Sequence, residues 1–387
     1  MKKILIFSLA YFPKHVGGAE VAIHEITKRI SDIEFHLITN RFEEGEKREE
    51  KIGSVTVHRV GGSTSYLSKI LFVPRAARMA TRLHRTHQFD GAWAMMSYMA
   101  LPIVLMRLWG IRLPYALTLQ EGDSFGHMFR RPHVIFLSPL FRFAFRNATI
   151  VQTISHFLSA WAPRMGYTGK VEVIPNGAAI AHFGREYPAA TINEIKDRLG
   201  KKMGDVFLIT TSRLVHKNAL DDVIRALPLL PENVSFIILG TGPEEAALRK
   251  IANDLQIAKR VQFVGFIAHE EMPKYLKACD IFIRPSRSEG MGASFIEAMA
   301  AGLPVIASQE GGIADFLFDE KRNPEQPITG WAVDKDSSKQ IAEAVQDVMA
   351  RPEKVRAVVA TAREMVREHY DWDAIARDMR ERVFAKM

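Results

Sequence analysis

The sequence predicts an α/β protein of two domains, each built on a mostly parallel, doubly wound sheet. Three observations support this fold class. Short apolar runs of strand length alternate with segments of helical periodicity along the whole chain. A chain of 387 residues is longer than one ordinary core requires. A turn-rich stretch, Ile174–Gly177, separates two similar halves. We expect the two domains to face each other across a cleft that holds the active site.

The first domain is predicted over residues 1–174. It opens with a strand, Ile4–Leu9, a loop with Gly17-Gly18, and a helix over Ala19–Ile30 whose apolar residues recur at near-helical spacing. The glycines either form a turn or let backbone amides approach a substrate, because open α/β sheets bind ligands at strand-to-helix loops. Further strands are predicted at Phe35–Thr39, Val55–Arg59, Gly91–Met95, Tyr115–Leu119, Ala148–Thr153 and Val171–Ile174.

The second domain is predicted over residues 178–371. Its strands are expected at Phe207–Thr211, Ser235–Leu239, Val261–Val264, Ile281–Ile283, Val305–Ala307 and Gly330–Val333. The last predicted helices are Ser338–Met349, Pro352–Tyr370 and Trp372–Lys386. We expect the final helix, about residues 372–387, to pack back on the first domain.

Composition excludes several classes of protein. Apolar residues at 47% and charged residues at 25% indicate a globular chain and not a disordered one. The single cysteine, Cys279, excludes an intramolecular disulfide and fits a reducing compartment. The apolar run after Lys2-Lys3 is short and lacks a small-residue cleavage site, and no window approaches the ~20 uncharged apolar residues of a membrane span. We therefore expect a cytoplasmic protein.

The positive charge lies in the first half of the chain. Residues 1–187 hold 24 basic and 14 acidic residues, whereas residues 188–387 hold 28 and 30. Two stretches mix basic and apolar side chains: Leu67, Ile70, Leu71, Phe72 and Val73 with Lys69, Arg75, Arg78, Arg82 and Arg85, and Phe129, Phe136, Phe141, Phe143 and Phe145 with Arg130, Arg131, Arg142 and Arg146. No nucleic-acid recognition motif is present, so we expect no nucleic-acid partner. Two interpretations remain: peripheral attachment to an anionic membrane face, or core aromatics with solvated arginines.

The stretch Arg284–Phe316 carries the main chemical signal. It holds Glu289 and Glu297, eight residues apart, and a predicted helix, Ala293–Ala301, that ends at Gly302. A loop, a helix N-terminus and a buried strand in that order favour an anion site. Acidic groups beside such a site indicate a ligand that bears hydroxyls as well as phosphates, such as a nucleotide sugar.

Two cations, Arg213 and Lys217, follow the first strand of the second domain, and Gly240–Pro243 follows the next strand. The carboxyl ends of these strands face the crevice in which α/β sheets bind ligands. A guanidinium can bridge a diphosphate and an ammonium adds a point charge. The alternative is solvated loop charge, but all these features end strands of one predicted sheet, which favours binding.

Together these motifs resemble the retaining glycosyltransferases of family 4, which have the GT-B architecture of two Rossmann-like domains. The resemblance covers most of the chain and is strongest over residues 207–316. It rests on Ser212-Arg213-Leu214 with Lys217, Gly240–Pro243, Val264–Phe266, Pro285-Ser286, Glu289-Gly290 with Gly292, Glu297-Ala298 and Gly311-Gly312. Glu289 and Glu297 match the E-x7-E motif of the family, and Gly17–Glu20 and Ile174–Gly177 match as well.

The resemblance implies roles for the matching residues. Arg213 and Lys217 would bind the donor diphosphate and stabilise its developing charge. Glu289 would hold the transferred sugar, and Glu297 the ribose. The remaining donor-binding residues would be Gly17, Gly18, Gly242, Met291, Gly292 and Ala293. The implied reaction moves a hexose-like sugar from a nucleoside diphosphate to a saccharide or lipid-linked acceptor, in cell-surface polysaccharide or glycolipid synthesis.

The chain departs from the family at one point. Many members carry a histidine after the strand that corresponds to Tyr115–Leu119, where this chain has Gln120-Glu121-Gly122-Asp123. Gln120, Glu121 or Asp123 would hold a sugar hydroxyl or accept the proton of the acceptor. The alternative is a polar loop at a strand end. The departure concerns the acceptor chemistry more than the donor site.

Asp371-Trp372-Asp373 has the D-x-D spacing of a metal–nucleotide motif from a different glycosyltransferase architecture. Here it opens the last predicted helix, where an aspartate N-cap is the better interpretation. We therefore expect neither a metal ion nor a cofactor besides the sugar nucleotide. A catalytically silent subunit that binds a nucleotide or a partner is the alternative function. A sugar-nucleotide epimerase has no support in these motifs.

Overall fold

A computed structural model of the chain describes residues 1–14, 16–62, 66–129 and 132–387. The chain divides into two compact units. The first comprises Met1–Gly177 and Trp372–Met387, and the second comprises Ala178–Asp371. Each unit has its own sheet and its own apolar core.

The sheet of the first unit contains β1 (Lys2–Phe7), β2 (Ile33–Asn40), β3 (Glu49–Ile52), β4 (Val55–Val60), β5 (Gly91–Met95), β6 (Tyr115–Leu119), β7 (Ile150–Thr153) and β8 (Val171–Val173). The strand order is β3-β4-β2-β1-β5-β6-β7-β8, and all described neighbours pair in parallel except β3 and β4. The central strands are apolar throughout because helices cover both faces of the sheet. In β1, for example, Ile4, Leu5, Ile6 and Phe7 are all buried.

Strand β3 was missed by sequence reasoning. Its residues Glu49–Ile52 are mostly charged and lack the apolar alternation that predicts a strand. It pairs antiparallel with β4 at the edge of the sheet, where charged side chains block further strand pairing.

The helices of the first unit are α1 (Gly18–Arg29), α2 (Tyr66–His87), α3 (Leu101–Leu108), α4 (Phe125–Phe129), α5 (Pro132–Asn147), α6 (His156–Ser159) and α7 (Trp161–Arg164). The C-terminal segment also belongs here. It was predicted as one helix to Lys386, but regular α-helix covers only Trp372–Asp378, followed by a π-turn, Met379–Val383, and a 3₁₀ turn, Phe384–Lys386. Trp372 and Phe384 pack into the core beside β1 and α1.

The sheet of the second unit is parallel throughout the described strands. It contains β9 (Val206–Thr211), β10 (Val234–Leu239), β11 (Val261–Gly265), β12 (Ile281–Arg284), β13 (Val305–Ser308) and β14 (Trp331–Val333), in the order β11-β10-β9-β12-β13-β14. Its helices are α8 (Ile180–Phe183), α9 (Ala189–Arg198), α10 (Leu220–Ala226), α11 (Glu245–Asp254), α12 (Met272–Ala278), α13 (Ala293–Ala301), α14 (Ser338–Ala350) and α15 (Pro352–His369). The last α-helix of the chain, α16 (Trp372–Asp378), belongs to the first unit. Gly302 ends α13 with φ of +88°, the left-handed conformation expected of a glycine cap.

The two basic stretches of the first unit contain buried and exposed aromatics. Phe72, Phe141 and Phe145 are buried, whereas Phe136 is 85% exposed and Ile70 and Phe143 are also exposed. Arg130, Arg131 and the side chains of Leu67 and Lys69 lie outside the described residues. The core interpretation therefore holds for the buried aromatics, and peripheral membrane attachment stays a prediction for the exposed ones. Among the described residues, no helix is long and apolar enough to cross a membrane.

Candidate active site

The loop after β9 lies against the glycine-rich loop after β10. The amides of Ser212 and Leu214 donate to the carbonyls of Leu239 and Thr241, each at 3.0 Å. Gly240 has φ of +135°, and a Cβ there would lie 1.9 Å from the carbonyl oxygen of Ser212. Glycine is required because both the backbone conformation and the close approach exclude a side chain. The two loops together shape the carboxyl edge of the second sheet.

Gly242 was predicted to contribute to donor binding. It packs on the backbone of Leu214, where an added Cβ would lie 2.3 Å from the carbonyl oxygen. It does not line the cavity described below. Its glycine is explained by loop packing, and its predicted role in donor binding stays a prediction.

A cavity of about 280 Å³ opens beside these loops within the second unit. It is lined by Thr211, Ser212, Arg213, Leu239, Gly240, Thr241, Phe266, Ile267, Met272, Ser294 and Glu297. Arg213 and Glu297, far apart in sequence, thus meet in one cavity. The hydroxyls of Thr211 and Ser212 are buried and have no hydrogen-bond partner among the described residues. Buried polar atoms of this kind favour a bound ligand, because burial without a partner costs free energy.

Arg213 is exposed and has no ion-pair partner within the described part of the chain. Its backbone is fixed, since Asn218 Nδ2 donates to its carbonyl oxygen at 2.6 Å. Lys217 is half-buried on the same loop but outside the cavity lining. The loop therefore presents the guanidinium of Arg213 to the cavity, and it carries the ammonium of Lys217 four residues later.

Glu289 is paired with a buried arginine that sequence reasoning left without a role. Arg284 Nη2 donates to Glu289 Oε2 at 2.9 Å, and the amide of Gly290 donates to the other carboxylate oxygen at 3.1 Å. Arg284 also donates to Ser294 Oγ at 2.7 Å and lies over the ring of Phe295 at 4.2 Å. This arginine fixes the orientation of the Glu289 carboxylate.

Arg284 balances the charge of both acids of the motif. Burial lowers its pKa, and the carboxylates of Glu289 and Glu297 act in the opposite direction. One oxygen of Glu297 also lies 3.5 Å from His269 Nε2. The two carboxylates therefore share a fixed buried cation, which limits their mutual repulsion.

A second arginine joins the two loops that carry the predicted site residues. The Arg287 amide donates to the Lys217 carbonyl at 2.7 Å, and Arg287 Nη1 donates to the His216 carbonyl at 2.8 Å. Its guanidinium also binds Asp221 at 2.9 and 3.0 Å, Asp222 at 2.9 Å and Asp336 at 2.6 Å. The hydrogen bonds that Arg287 donates to Asp221 and Asp336 raise its pKa. Sequence reasoning missed this clamp because its partners are distant along the chain.

The loop before α13 also depends on close backbone contacts. Gly292 has φ of +90° at the N-cap, and a Cβ on Gly311 would lie 1.9 Å from the Glu289 carbonyl oxygen. The amide of Gly312 donates to that same carbonyl at 3.1 Å. The amides that follow Met291, at the N-terminus of α13, therefore lie on a loop whose backbone is fixed by Gly311 and Gly312. Such amides lack helical acceptors and favour an anionic oxygen.

In the first unit, Gly17 and Gly18 form the N-terminus of α1. The amide of Gly17 donates to the carboxylate of Glu20 at 2.8 Å, and Gly18 has no heavy atom within 4 Å of an added Cβ. Neither glycine has a positive φ. Open space at Gly18 is compatible with the predicted approach of a ligand to the backbone.

The three candidates for the missing histidine have different environments. The amide groups of Gln120 and Asn176 pair with each other at 3.1 Å in both directions. Glu121 is 1% exposed; its Oε1 accepts from the Ser97 amide at 2.8 Å, and its Oε2 has no partner among the described residues. Burial raises the pKa of Glu121. Asp123 has a side chain that is 43% exposed. Of the three, Asp123 alone presents a carboxylate to solvent.

A histidine does follow, one turn later. His127 lies in α4, and its Nε2 is 3.9 Å from Asp123 Oδ2. Sequence reasoning considered only residues up to Asp123 and therefore missed it. The i, i+4 spacing of Asp123 and His127 was the available signal.

One group within the described ranges has metal-ligand spacing. Ligand atoms of Glu34, His36 and His87 all lie within 4.8 Å of one another. His36 Nε2 already contacts Glu34 at 2.7 Å, and its Nδ1 contacts His58 at 3.0 Å. Burial lowers the pKa of His36 and of His58, which favours neutral rings. The group lies on β2 and α2 of the first unit, not in the cavity of the second unit, and the expectation of no metal stays a prediction.

Comparison with known proteins covers both units. The sequence-family model for "Glycosyl transferases group 1" matches residues 191–365, and the sequence-family model for "Glycosyltransferase Family 4" matches residues 16–181. A Mycobacterium tuberculosis GDP-mannose-dependent alpha-(1-6)-phosphatidylinositol monomannoside mannosyltransferase is 34% identical over 235 residues. That alignment spans 58% of this chain and 57% of the relative, so the chain matches little more than half the length of that protein.

A Mycolicibacterium smegmatis protein with the same printed activity is 27% identical over 93% of both chains. Among solved structures, sucrose-phosphate synthase from Thermosynechococcus elongatus superposes with a TM-score of 0.82 at 20% identity, over 100% of both chains. The predicted GT-B fold is thereby confirmed. Since the two family models match the two units in turn, the chain belongs to the group 1 glycosyltransferases of family 4.

Proposed function

We propose that this protein transfers a sugar from a nucleoside diphosphate to a glycolipid acceptor, with retention of anomeric configuration. The observation that carries the proposal is the cavity of the second unit, which is lined by Arg213, Glu297 and two buried hydroxyls that have no hydrogen-bond partner in the described ranges. A diphosphate needs cationic donors, and the hydroxyls of a ribose need a carboxylate acceptor. Both requirements are met there by side chains held on fixed backbone.

In this proposal the chain stabilises the departing diphosphate electrostatically. Arg213 and Lys217 provide two positive charges, and the first amides of α13 add further donors. Glu289 holds hydroxyls of the moving sugar in an orientation that Arg284 fixes. Since these charges oppose that of the diphosphate, we infer that turnover needs no divalent cation.

The outer part of the cavity fits a nucleobase. Phe266 is largely exposed at its rim, with Ile267 and Met272 beside it, and an exposed ring offers a surface on which a base stacks. Both mycobacterial relatives are named for GDP-mannose, so we propose GDP-mannose as the first donor to test. Their names also include a phosphatidylinositol glycoside as acceptor, which supports a lipid-linked acceptor for this chain.

We propose that α5 attaches the first unit to an anionic membrane surface. Ile135, Phe136 and Phe143 are exposed on this helix, and Arg142 and Arg146 lie beside them. Exposed apolar side chains flanked by cations are typical of interfacial helices. Phe136→Ser should weaken co-sedimentation with anionic vesicles, whereas Met203→Ser, at an exposed apolar residue of the second unit, should not. Absence of wild-type binding at low salt would remove this part of the proposal.

The deciding experiment is a screen of sugar nucleotides for release of free nucleoside diphosphate, with glycolipid acceptors and with water alone. We expect GDP-mannose to be turned over, and chelation of divalent ions to leave the rate unchanged. If nucleotides bind but no donor is turned over, the chain is a silent nucleotide-binding subunit. Loss of turnover on chelation would contradict the metal-independent proposal. The anomeric configuration of the product tests retention.

A further inference from the structure

The first unit contains an open cavity of about 770 Å³ that the proposed donor chemistry does not use. It lies at the carboxyl end of β4, between the loop Val60-Gly61-Gly62 and one face of α2. Its lining includes five arginines, Arg48, Arg59, Arg75, Arg78 and Arg82, and three apolar side chains, Val60, Leu71 and Met79. Carboxyl ends of parallel strands are where α/β sheets bind ligands.

Most of this positive charge is not neutralised by the protein. Arg59 is paired with Glu50, but Arg48, Arg75, Arg78 and Arg82 have no ion-pair partner in the described ranges. Helix α2 contains no acidic residue over its 22 positions. Like charges three and four residues apart destabilise a helix. A stripe of unpaired arginines on a cavity wall therefore indicates an anionic ligand.

The glycine loop also lies against the guanidinium of Arg41, which is not part of the cavity lining. A Cβ on Gly62 would lie 3.0 Å from Arg41 Nη2, and the Nε of Arg41 is buried with no hydrogen-bond partner among the described residues. Gly61 has φ of +85°, and a Cβ there would lie 2.7 Å from Asn40 Oδ1 and 3.4 Å from Arg75 Nη1. Glycine at both positions leaves room for guanidiniums to approach the backbone.

We propose that this cavity binds the phosphate ester of the acceptor. Several guanidiniums around one space match the charge and geometry of a phosphate better than those of a single carboxylate. The apolar wall formed by Leu71 and Met79 accommodates the uncharged part of the same molecule. The identity of the ligand as acceptor rests on the proposed function, whereas the binding of a phosphate ester does not.

The test measures binding to the full-length protein in the absence of donor, so that it does not depend on turnover. Soluble probes are inorganic phosphate and glycerol 3-phosphate, titrated by calorimetry. Lipid probes are vesicles of phosphatidylcholine alone and with phosphatidylinositol. The double variant R78Q/R82Q removes two exposed, unpaired charges from the cavity wall. The matched control is R85Q, an exposed arginine of the same helix outside the cavity.

We expect R78Q/R82Q to lose about tenfold or more in affinity, since charge-assisted hydrogen bonds are among the strong ones, and R85Q to stay within about twofold. Selective loss with glycerol 3-phosphate supports a site for soluble phosphate esters, and selective loss with phosphatidylinositol vesicles alone supports a lipid headgroup. Equal losses in both variants, or no binding of any phosphate probe, would overturn the proposal. Thermal unfolding checks that the variants are folded. Phosphate binding without turnover of any donor would leave the cavity site standing while the proposed function fails.

Discussion

Replacement of Arg287 by alanine tests a residue that holds the loops of the site in place but does not line the cavity itself. Its guanidinium binds three carboxylates and the His216 carbonyl, but it does not line the cavity. Removal leaves Asp221 and Asp222 adjacent and without their cation. The loop that carries Arg213 then loses its side-chain connection to the loop that carries Glu289.

The structure sets the size of the effect. Arg287 is only 15% exposed, so its pairs lie between exposed ion pairs, which contribute about 0.2–1 kcal/mol, and buried ones, whose disruption costs about 3–5 kcal/mol. We expect a loss of about 2–3 kcal/mol from the second unit. Burial and the charge of Asp221 already raise the pKa of Asp222. Asp222→Asn in the alanine background should therefore recover part of the loss.

Hydrogen exchange of residues 212–219 is the best assay, because a chain of two compact units with separate cores need not unfold in a single transition. Arg287→Ala should increase exchange in this loop and raise the KM for the donor several-fold, while exchange in the first unit stays unchanged. Arg367→Ala, which removes an exposed pair with Glu364, is the control. A stability loss as small as that of the control, with normal KM, would refute the clamp.

Four further substitutions test individual roles. Glu289→Gln should lower kcat by about 100-fold with little change in nucleotide affinity. Arg213→Ala should instead weaken nucleoside diphosphate binding by about tenfold. Equal losses of nucleotide affinity in both variants would refute the assignment of Glu289 to the sugar and Arg213 to the diphosphate. Glu121→Gln should stabilise the protein at neutral pH. Burial raises the pKa of Glu121 in the folded state, so its carboxyl lowers the free energy of unfolding as the pH rises above the unfolded-state pKa of about 4.3. The gain should vanish below that pH, and a gain independent of pH in urea unfolding would contradict this reasoning. His127→Gln should lower turnover by about tenfold or more if His127, close to Asp123, moves the acceptor proton, and unchanged kinetics would exclude it.

The elements of both sheets could be predicted well because their strands are buried on both faces. Continuous apolar runs at Gly91–Met95 and Tyr115–Leu119 gave the observed bounds, and Ala293–Ala301 was predicted to the residue. Strand β3 had no such signal, since its pairing at a charged edge depends on β4. The C-terminal helix was predicted as continuous because apolar periodicity does not distinguish an α-helix from one that ends in a π-turn.

The candidate site was predictable only in part. Motif spacing placed Arg213 and Glu297 at the same sheet edge, and they line one cavity. Arg284 and Arg287 carried no signal, because an arginine beside a loop is ordinarily solvated and their partners are known only after folding. Glu121 was predicted to hold a sugar hydroxyl or to accept the proton of the acceptor, yet its carboxylate is buried against Ser97. The position of a residue along the sequence does not indicate how deeply its side chain is buried.

The two arginines of the loop between β12 and α13 have separable tasks. Arg284 is buried and contacts Glu289 and Ser294, so it fixes the acid proposed to hold the sugar. Arg287 lies three residues later and ties the same loop to the loop of Lys217. Loss of the first should reduce kcat through sugar orientation, whereas loss of the second should raise KM through diphosphate binding. One short loop thus couples the sugar half of the donor site to its phosphate half, and a change that moves this loop should affect both.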